Sequence, residues 1–269
     1  MASGIEIKRL DRIPDLRGLD KRLATDEQQD LRSAGHWLTF DWSTDERPAP
    51  NEIVNLVLIA LWLSQPTKAH VELCFKISND PEMAPDGWYR YLDRFNWVPG
   101  AAVDKIENAN LTEAVSYYPK LRDLHLASGR LQNGLSLTSA GCMAHSWQPA
   151  LICHSAAAEA ILTYDTGPGI TRRLALFYAC LVENSAAERD RAFLEFRHLY
   201  SVRSDIMHGR TYNIAAGDRL PILARFESIL RRLWQVVLAS PMLIQVLEGP
   251  DEQRSIHFRG LQHGYAPPK

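Results

Sequence analysis

The sequence predicts an α+β protein that is mainly α: a small mixed α/β domain at the N-terminus, followed by an all-α helical bundle. Short alternating segments and five of the seven tryptophans fall in the first hundred residues, as expected of strands around a small aromatic core. Beyond residue 105, apolar segments of about ten to twenty residues recur between short turns, which is typical of bundled helices. The predicted boundaries are 1–105 for the mixed domain, 106–139 for a connecting helical segment, 140–245 for the bundle and 246–269 for a polar tail.

The N-terminal domain combines two alternating segments with one apolar helix. HWLTFDW places Leu38, Phe40 and Trp42 on one side, and AHVELCFKIS alternates in the same way, so both segments predict strands. Between them, NEIVNLVLIALWLSQP predicts a helix that Asn51 caps and that ends before Pro66. The tryptophans of this region could stack on bases, or they could fill the core of a small domain.

The rest of the chain predicts helices separated by turns. A helical outline covers 111–138 with an interruption at Pro119, and a small apolar helix follows it before the turn TGPG. Thr171 is the expected cap of RRLALFYACLVEN, and Ser185 with Glu188 has the spacing of a capping box for the next helix. The strongly apolar stretch LPILARFESILRRLWQVVL predicts the last helix of the bundle.

Composition and charge set limits on function. The 269 residues are 46% hydrophobic and 23% charged with a net charge of −2, which is typical of a soluble globular protein and gives no overall nucleic-acid signature. The segment from Arg172 to Arg232, however, contains eleven arginines and only seven acidic residues. This local surplus of positive charge could hold a phosphate, or it could be an ordinary solvated helix surface.

No segment predicts a membrane span, a secretion signal or a metal site. The charged N-terminus lacks the apolar core of a signal peptide, and the longest apolar run, IVNLVLIALWL, is about half the length of a membrane span. The four cysteines form no CxxC pair, and there is no HExxH motif. We therefore expect a cytoplasmic protein without membrane contact, cofactor or metal.

Arg203 is unusual because it falls on the apolar face of a helix. At about 100° per residue, six apolar side chains form one arc with Arg203 near its centre. They are Phe193, Phe196, Leu199, Tyr200, Ile206 and Met207. A guanidinium stays charged at any ordinary pH, so its burial demands a partner. Either a carboxylate meets Arg203 in a buried ion pair, or the side chain faces an anion such as a phosphate.

His208 follows Arg203 in an Arg-x4-His arrangement. The spacing alone is weak evidence, since Arg191 and His198 form a similar pair toward the polar side of the same helix. Five residues rotate a regular helix by about 500°, so the two side chains point about 140° apart. Gly209 predicts a left-handed cap that ends the helix at His208. The imidazole could then turn inward, or a second chain could supply it.

The segment LYSVRSDIMHG resembles the signature of the HEPN superfamily, and most closely its Apea-like branch of bacterial proteins, where an LY..RS.I.HG ending is typical. HSAAAEAIL, RRLALFYACL and RAFLEFRHLY also resemble that branch, so the likeness covers about residues 140–240. It implies an HEPN-like bundle that pairs with a second copy through the helices bearing the motif. Many members are metal-independent endoribonucleases, so the resemblance also implies cleavage of single-stranded RNA by a homodimer. The expected role is in defence or stress response, with the N-terminal domain sensing or restraining the nuclease.

The chemistry of Arg203 and His208 as catalytic residues fits that activity. The arginine can stabilise charge that develops on a phosphate oxygen. The histidine can take a proton from the ribose 2′-hydroxyl or give one to the leaving 5′-oxygen, and a helix C-terminus favours the protonated form that a general acid needs. Attack by the 2′-hydroxyl leaves a 2′,3′-cyclic phosphate, needs no metal and spares DNA.

Several neighbours are candidates for supporting roles. Glu159, in an alanine-rich apolar helix, is the expected carboxylate for orienting Arg203. Ser204 resembles the small polar residue that follows the motif arginine in this branch, or it is an exposed helical serine. Tyr200 and Tyr212 could line the cleft, or they could pack in the core.

Arg210 marks a departure from a related pattern. HEPN toxins that pair with nucleotidyltransferase antitoxins carry a tyrosine two residues after the motif histidine, where this sequence has Arg210. Regulation by modification of that tyrosine is therefore not supported, and whether a protein regulator or antitoxin binds stays open. The alternative to a nuclease is a non-catalytic HEPN module that binds RNA, nucleotide or a protein partner through the same cleft.

Overall fold

The computed structural model is mainly helical, and the strands among the residues that it describes lie in the N-terminal part, which confirms the predicted fold class. It describes residues 5–9, 15–42, 47–67, 69–78, 80, 82, 86–91, 106–163, 169–210 and 214–262. The chain divides into two compact units. The N-terminal unit comprises Met1–Pro50 with His70–Arg94, and the helical unit comprises Asn51–Ala69 with Phe95–Lys269.

Among its described residues, the N-terminal unit contains two antiparallel strand pairs and one α-helix. Its elements are β1 (Glu6–Arg9), α1 (Thr25–Ser33), β2 (His36–Thr39), β3 (Leu73–Lys76) and β4 (Gly87–Arg90), with a short 3₁₀ turn at Leu19–Arg22. β1 pairs with β2 and β3 pairs with β4, so that Phe75 lies opposite Trp88. Both predicted strands therefore form, although the first ends at Thr39, before Phe40 and Trp42.

A small leucine cluster forms the core of the N-terminal unit. Its buried members are Leu16, Leu19, Leu23 and Leu31, and the partly buried Trp37, Leu73, Phe75 and Trp88 pack against them. Arg90 joins β4 to α1 through ion pairs with Asp26 at 2.7 Å and with Asp30 at 2.9 Å. The packing of Trp37 and Trp88 agrees with a core-filling role for these tryptophans, whereas Trp97 lies outside the described residues.

The helical unit is built from α2 and from the helices that follow β4, several of them joined by short turns. They are α2 (Pro50–Ser64), α3 (Asn108–Leu126), α4 (Arg130–Met143), α5 (Trp147–Leu162), α6 (Ile170–Val182), α7 (Ala186–Met207), α8 (Arg219–Ala239), α9 (Pro241–Glu248) and α10 (Asp251–Gln262), with a 3₁₀ turn at Ala216–Asp218. α2 is apolar on every side and almost wholly buried, as expected of a core helix. The sequence assigned α2 to the N-terminal domain, and the structure groups it with the helical unit.

Helix α3 continues through Pro119, where the sequence predicted an interruption. Its buried residues lie on both sides of the proline and include Tyr117 and Leu121, so packing stabilises the helix on both sides of the missing hydrogen bond. The break falls instead at Ala127–Gly129, between α3 and α4. A second difference concerns α6, which begins at Ile170 after the left-handed Gly169 and not at a Thr171 cap.

The segment predicted as a polar tail is largely helical. Ser240 caps α9 by accepting the N–H of Leu243 at 3.2 Å. α10 buries Phe258 and Leu261, and the ring of Phe258 stacks on Phe177 of α6 at 4.3 Å between centroids. The stretch has three large apolar residues, and one of them, Ile256, is exposed. They are too few to give a clear helical period in the sequence, which explains why the pattern did not reveal this helix.

Helix α5 lies at the centre of the unit, in contact with α4, α6, α7 and α8. Its alanines, including the fully buried Ala157 and Ala158, allow the neighbouring helices to approach closely. Across the same core, the indole N–H of Trp234 in α8 donates to the hydroxyl of Thr138 in α4 at 2.9 Å. Within the described residues, no helix combines the length and the hydropathy that crossing a bilayer requires.

Candidate functional site

Helix α7 carries most of the predicted site, and local capping fixes both of its ends. At the N-terminus, the Ser185 hydroxyl accepts the N–H of Glu188 at 3.3 Å and donates to the Glu188 carboxylate at 2.7 Å. The inward face of the helix buries Phe196, Leu199 and Tyr200, as the projection of the sequence predicted, whereas Met207 at the end of the predicted apolar arc is exposed. The side chain of Arg203 lies on this same side, and only 21% of it is exposed.

Glu159 of α5 is the carboxylate that meets Arg203. Its Oε1 lies 3.0 Å from Nη2 of Arg203, and the Glu159 side chain is 25% exposed. The ion pair therefore joins the central helix to α7 at a partly solvated position.

Tyr200 touches both members of this ion pair. Its hydroxyl donates a short hydrogen bond to Glu159 Oε1, and its ring lies beneath the guanidinium of Arg203, with Cζ 5.2 Å from the ring centroid. The ring also stacks on Phe196 at 6.0 Å. Burial, followed by the hydrogen bond to Glu159 and its charge, raises the pKa of Tyr200, although the charge of Arg203 opposes this. The phenol therefore stays protonated and keeps its donor at physiological pH.

The guanidinium of Arg203 is not fully used by these contacts. An arginine has five N–H donors, and the Nε of Arg203 is buried without a hydrogen-bond partner among the residues that the structure describes. A buried N–H of a charged group without an acceptor is costly. Glu159 and Tyr200 therefore hold the guanidinium in place, and the exposed fifth of the Arg203 side chain is the part that a further anion can reach.

His208 is the C-terminal cap residue of α7, and it is exposed to solvent. Gly209 has the left-handed φ of +62°, its N–H donates to the carbonyl of Ile206 at 3.1 Å, and the N–H of Arg210 donates to that of Asp205 at 2.9 Å. These two bonds form a Schellman motif. The helix thus ends at His208, and the imidazole lies at its negative pole.

The other predicted supporting residues lie around this helix end. Ser204 is partly buried, and its carbonyl accepts the N–H of His208 at 3.1 Å. Arg210 is exposed and pairs with Asp205 at 3.3 Å, which makes it a surface charge. Tyr212 lies outside the described residues.

One chain does not bring Arg203 and His208 together. Arg203 faces α5, His208 faces solvent, and no hydrogen bond joins their side chains in the described part of the chain. Arg191 and His198, the similar pair earlier on α7, are both exposed. The packed position of Arg203 therefore distinguishes it from the surface arginine with comparable spacing.

No sequence pattern predicted a second polar pair, His154 of α5 and Glu227 of α8. His154 is fully buried, its Nε2 lies 3.6 Å from Glu227 Oε1, and its ring stacks on Trp62. Neither ring nitrogen has a hydrogen-bond partner among the described residues. The only available signal was a histidine within an otherwise small and apolar helix.

In the described ranges, no three His, Cys, Asp or Glu side chains lie close enough together to hold a metal ion. Comparisons with protein-family models, with curated proteins and with solved structures found no match. The resemblance to the HEPN superfamily therefore stays a prediction.

Proposed function

We propose that this protein is a metal-independent endoribonuclease of HEPN type that cleaves single-stranded RNA, with Arg203 and His208 as its catalytic residues. The observation that carries the proposal is the state of Arg203: a cation that Glu159 holds on the packed face of α7, with about a fifth of its side chain still exposed. A phosphate oxygen is a suitable acceptor for such a group. The proposed biological role is defence or stress response.

The proposed reaction needs one cation and one proton-transferring group. The ribose 2′-oxygen attacks phosphorus while its proton leaves, and the bond between phosphorus and the 5′-oxygen breaks as that oxygen gains a proton. Arg203 would stabilise the negative charge on the phosphate oxygens, and His208, at a helix C-terminus, would protonate the leaving 5′-oxygen. The products would be a 2′,3′-cyclic phosphate and a 5′-hydroxyl.

The proposal includes a homodimer. Arg203 and His208 point to different sides of α7 within one chain, so a single copy does not assemble both around one phosphate. A second copy that packs against the end of α7 would supply the missing histidine. The exposed position of His208 at the helix terminus leaves it accessible for that role.

The same contacts favour a second candidate, a non-catalytic module that binds RNA, nucleotide or a protein partner. The ion pair of Arg203 with Glu159 already neutralises the cation and links α5 to α7. A partly buried ion pair of this kind can serve specificity of packing and need not serve catalysis. The two candidates differ in whether RNA is cut, and they agree that Arg203 is central.

The test incubates end-labelled single-stranded RNA with pure protein in excess EDTA. Wild type is compared with Arg203→Ala, His208→Ala and the control His198→Ala, which removes an exposed histidine from the same helix. We expect cyclic-phosphate ends from wild type and the control, and a loss of about a hundredfold or more in the other two variants. A single-stranded DNA of the same sequence should stay intact.

Each alternative outcome has a distinct meaning. Equal cleavage by all four proteins would assign the activity to a contaminant or to another site, and the proposal would fail. RNA binding without cleavage, lost in Arg203→Ala, would favour the non-catalytic module. Oligomeric state is measured for every variant, so that a loss of pairing is not mistaken for a loss of chemistry.

A further inference from the structure

One oxygen atom connects three side chains at this site. Oε1 of Glu159 accepts the hydroxyl hydrogen of Tyr200 and, at 3.0 Å, also meets Nη2 of Arg203. The guanidinium of Arg203 lies over the ring of the same tyrosine at 5.2 Å. Tyr200 therefore contacts Arg203 directly through its ring and indirectly through the carboxylate.

We propose that Tyr200 is a positioning residue of this site: its hydroxyl fixes the carboxylate of Glu159, and the fixed carboxylate orients the guanidinium of Arg203 toward a bound phosphate. This inference rests on the proposed function for its catalytic consequence. The orientation of Arg203 by Tyr200 does not depend on that function, because it is a property of the protein without RNA.

The hydroxyl can be separated from the packing role of the ring. The ring of Tyr200 is 3% exposed and stacks on Phe196, and a phenylalanine would keep both the burial and the stacking. It would also keep an aromatic face beneath the guanidinium. The hydroxyl donates to Oε1 of Glu159, so its removal leaves that oxygen with the Arg203 contact and gives Glu159 one fewer constraint.

A less constrained Glu159 carboxylate would lower the rate of RNA cleavage more than it would lower the affinity for RNA. The charges of Glu159 and Arg203 are unchanged in Tyr200→Phe, so the long-range attraction of Arg203 for RNA remains. Catalysis instead depends on holding the cation where charge develops in the transition state. A displaced guanidinium therefore affects kcat, whereas KM changes little.

The experiment compares wild type, Tyr200→Phe and the matched control Tyr178→Phe. Tyr178 of α6 is also buried and also contacts Phe196, at 5.2 Å between centroids, so its variant removes a hydroxyl from the same aromatic cluster. We expect kcat on RNA to fall about tenfold in Tyr200→Phe, with KM within about twofold of wild type. Tyr178→Phe should retain the wild-type kcat.

A second measurement does not need activity. ¹⁵N NMR of the guanidinium nitrogens, with Arg203 assigned from an Arg203→Lys variant, reports how freely its terminal nitrogens exchange by rotation about the Cζ–N bonds. The ion pair should keep two separate Nη signals in wild type and in Tyr178→Phe. These signals should merge in Tyr200→Phe.

The outcomes separate this inference from the proposed function. If wild type does not cut RNA, the nuclease fails, and merged signals in Tyr200→Phe still support the orientation of Arg203 by Tyr200. Unchanged signals overturn the inference whether or not the protein is active, because the route through Glu159 is then absent. In an active protein, an unchanged kcat in Tyr200→Phe, or an equal loss in Tyr178→Phe, also overturns it.

Discussion

The charge of Arg203 is tolerated on an apolar helix face because a carboxylate, an aromatic ring and solvent each stabilise it. Glu159 neutralises it, the Tyr200 ring provides a favourable aromatic face, and about a fifth of the side chain reaches water. At this degree of exposure the solvent screens the ion pair, so its net contribution to stability is modest. Orientation of the guanidinium is therefore a better explanation of the arrangement than stability is.

Gly209 allows α7 to end where it does, because its φ of +62° is a conformation that side chains disfavour. We expect Gly209→Ala to lower the free energy of unfolding by about 1 kcal/mol. Gly217→Ala is the control, since Gly217 is not left-handed and an added Cβ there meets no atom within 4 Å. Urea denaturation of both variants measures the difference. Equal unfolding midpoints for the two would contradict the role of the left-handed cap.

Between elements, α4 and α5 pack closely at Gly141. A Cβ at this position would lie 2.4 Å from two ring atoms of the buried His154, so the glycine provides the space that the imidazole occupies. Trp62 of α2 stacks on that ring, which limits its movement. The contact therefore fixes the distance between the two helices and, with it, the position of the central helix that carries Glu159.

We expect Gly141→Ala to destabilise the protein by about 2 kcal/mol, because the ring has little room to move. Gly134→Ala on the same helix is the control, where the nearest atom to an added Cβ is 3.3 Å away. The higher helix propensity of alanine offsets that milder crowding, so the control should stay within about 1 kcal/mol of wild type. Both values come from urea denaturation.

A double variant distinguishes the steric explanation from a loss of helix stability. His154→Ala removes the ring, so adding Gly141→Ala to it should cost much less than it costs in wild type. If the cost of Gly141→Ala is the same with and without the ring, the imidazole is not the cause.

Elements with local signals were predictable, and those that depend on distant packing were not. Ser185 and Gly209 mark the two ends of α7 through hydrogen bonds within a few residues, so the sequence alone indicated them. The continuation of α3 through Pro119 depends on contacts along its buried face, and α10 depends on contacts of Phe258 with α6. No local pattern encodes such contacts.

The same distinction applies to the candidate site. The place of Arg203 on the inward face of α7 followed from periodicity, and Glu159 was a candidate because it lies in an apolar helix. The hydrogen bond from Tyr200 to Glu159 spans 41 residues of sequence, and the relative rotation of α5 and α7 determines it. Periodicity gives the face on which a side chain lies, but not the atom that it meets on another helix.

For the whole molecule, several buried groups should make the fold sensitive to alkali. Burial, followed by the nearby charge of Glu227, raises the pKa of the Cys142 thiol, and burial is the main cause that raises the pKa of Tyr178 and Tyr200. The unfolded chain loses these protons near pH 8.5 for cysteine and near pH 10 for tyrosine. Above those values the folded state binds more protons than the unfolded state, so stability falls as pH rises.

We therefore expect the free energy of unfolding to decline between about pH 8.5 and pH 11, where these buried groups lose their protons in the unfolded chain but keep them in the folded protein. Urea denaturation under reducing conditions at several pH values measures the slope. Cys142→Ala should flatten its lower part and Tyr178→Phe its upper part. If the free energy of unfolding stays constant across this range, burial does not raise the pKa of these groups.

The pairing of two copies gives the proposed nuclease its sharpest test. If each active cleft combines Arg203 of one chain with His208 of the other, mixed dimers of Arg203→Ala and His208→Ala contain one intact cleft. Random exchange at equal concentrations makes half of the dimers mixed, so activity should return to about a quarter of wild type, although each variant alone is inactive. Purified variants are unfolded together, refolded as a mixture and assayed on single-stranded RNA. If the arginine and histidine of each cleft come from the same chain, every cleft in the mixture lacks one of them, and no activity returns.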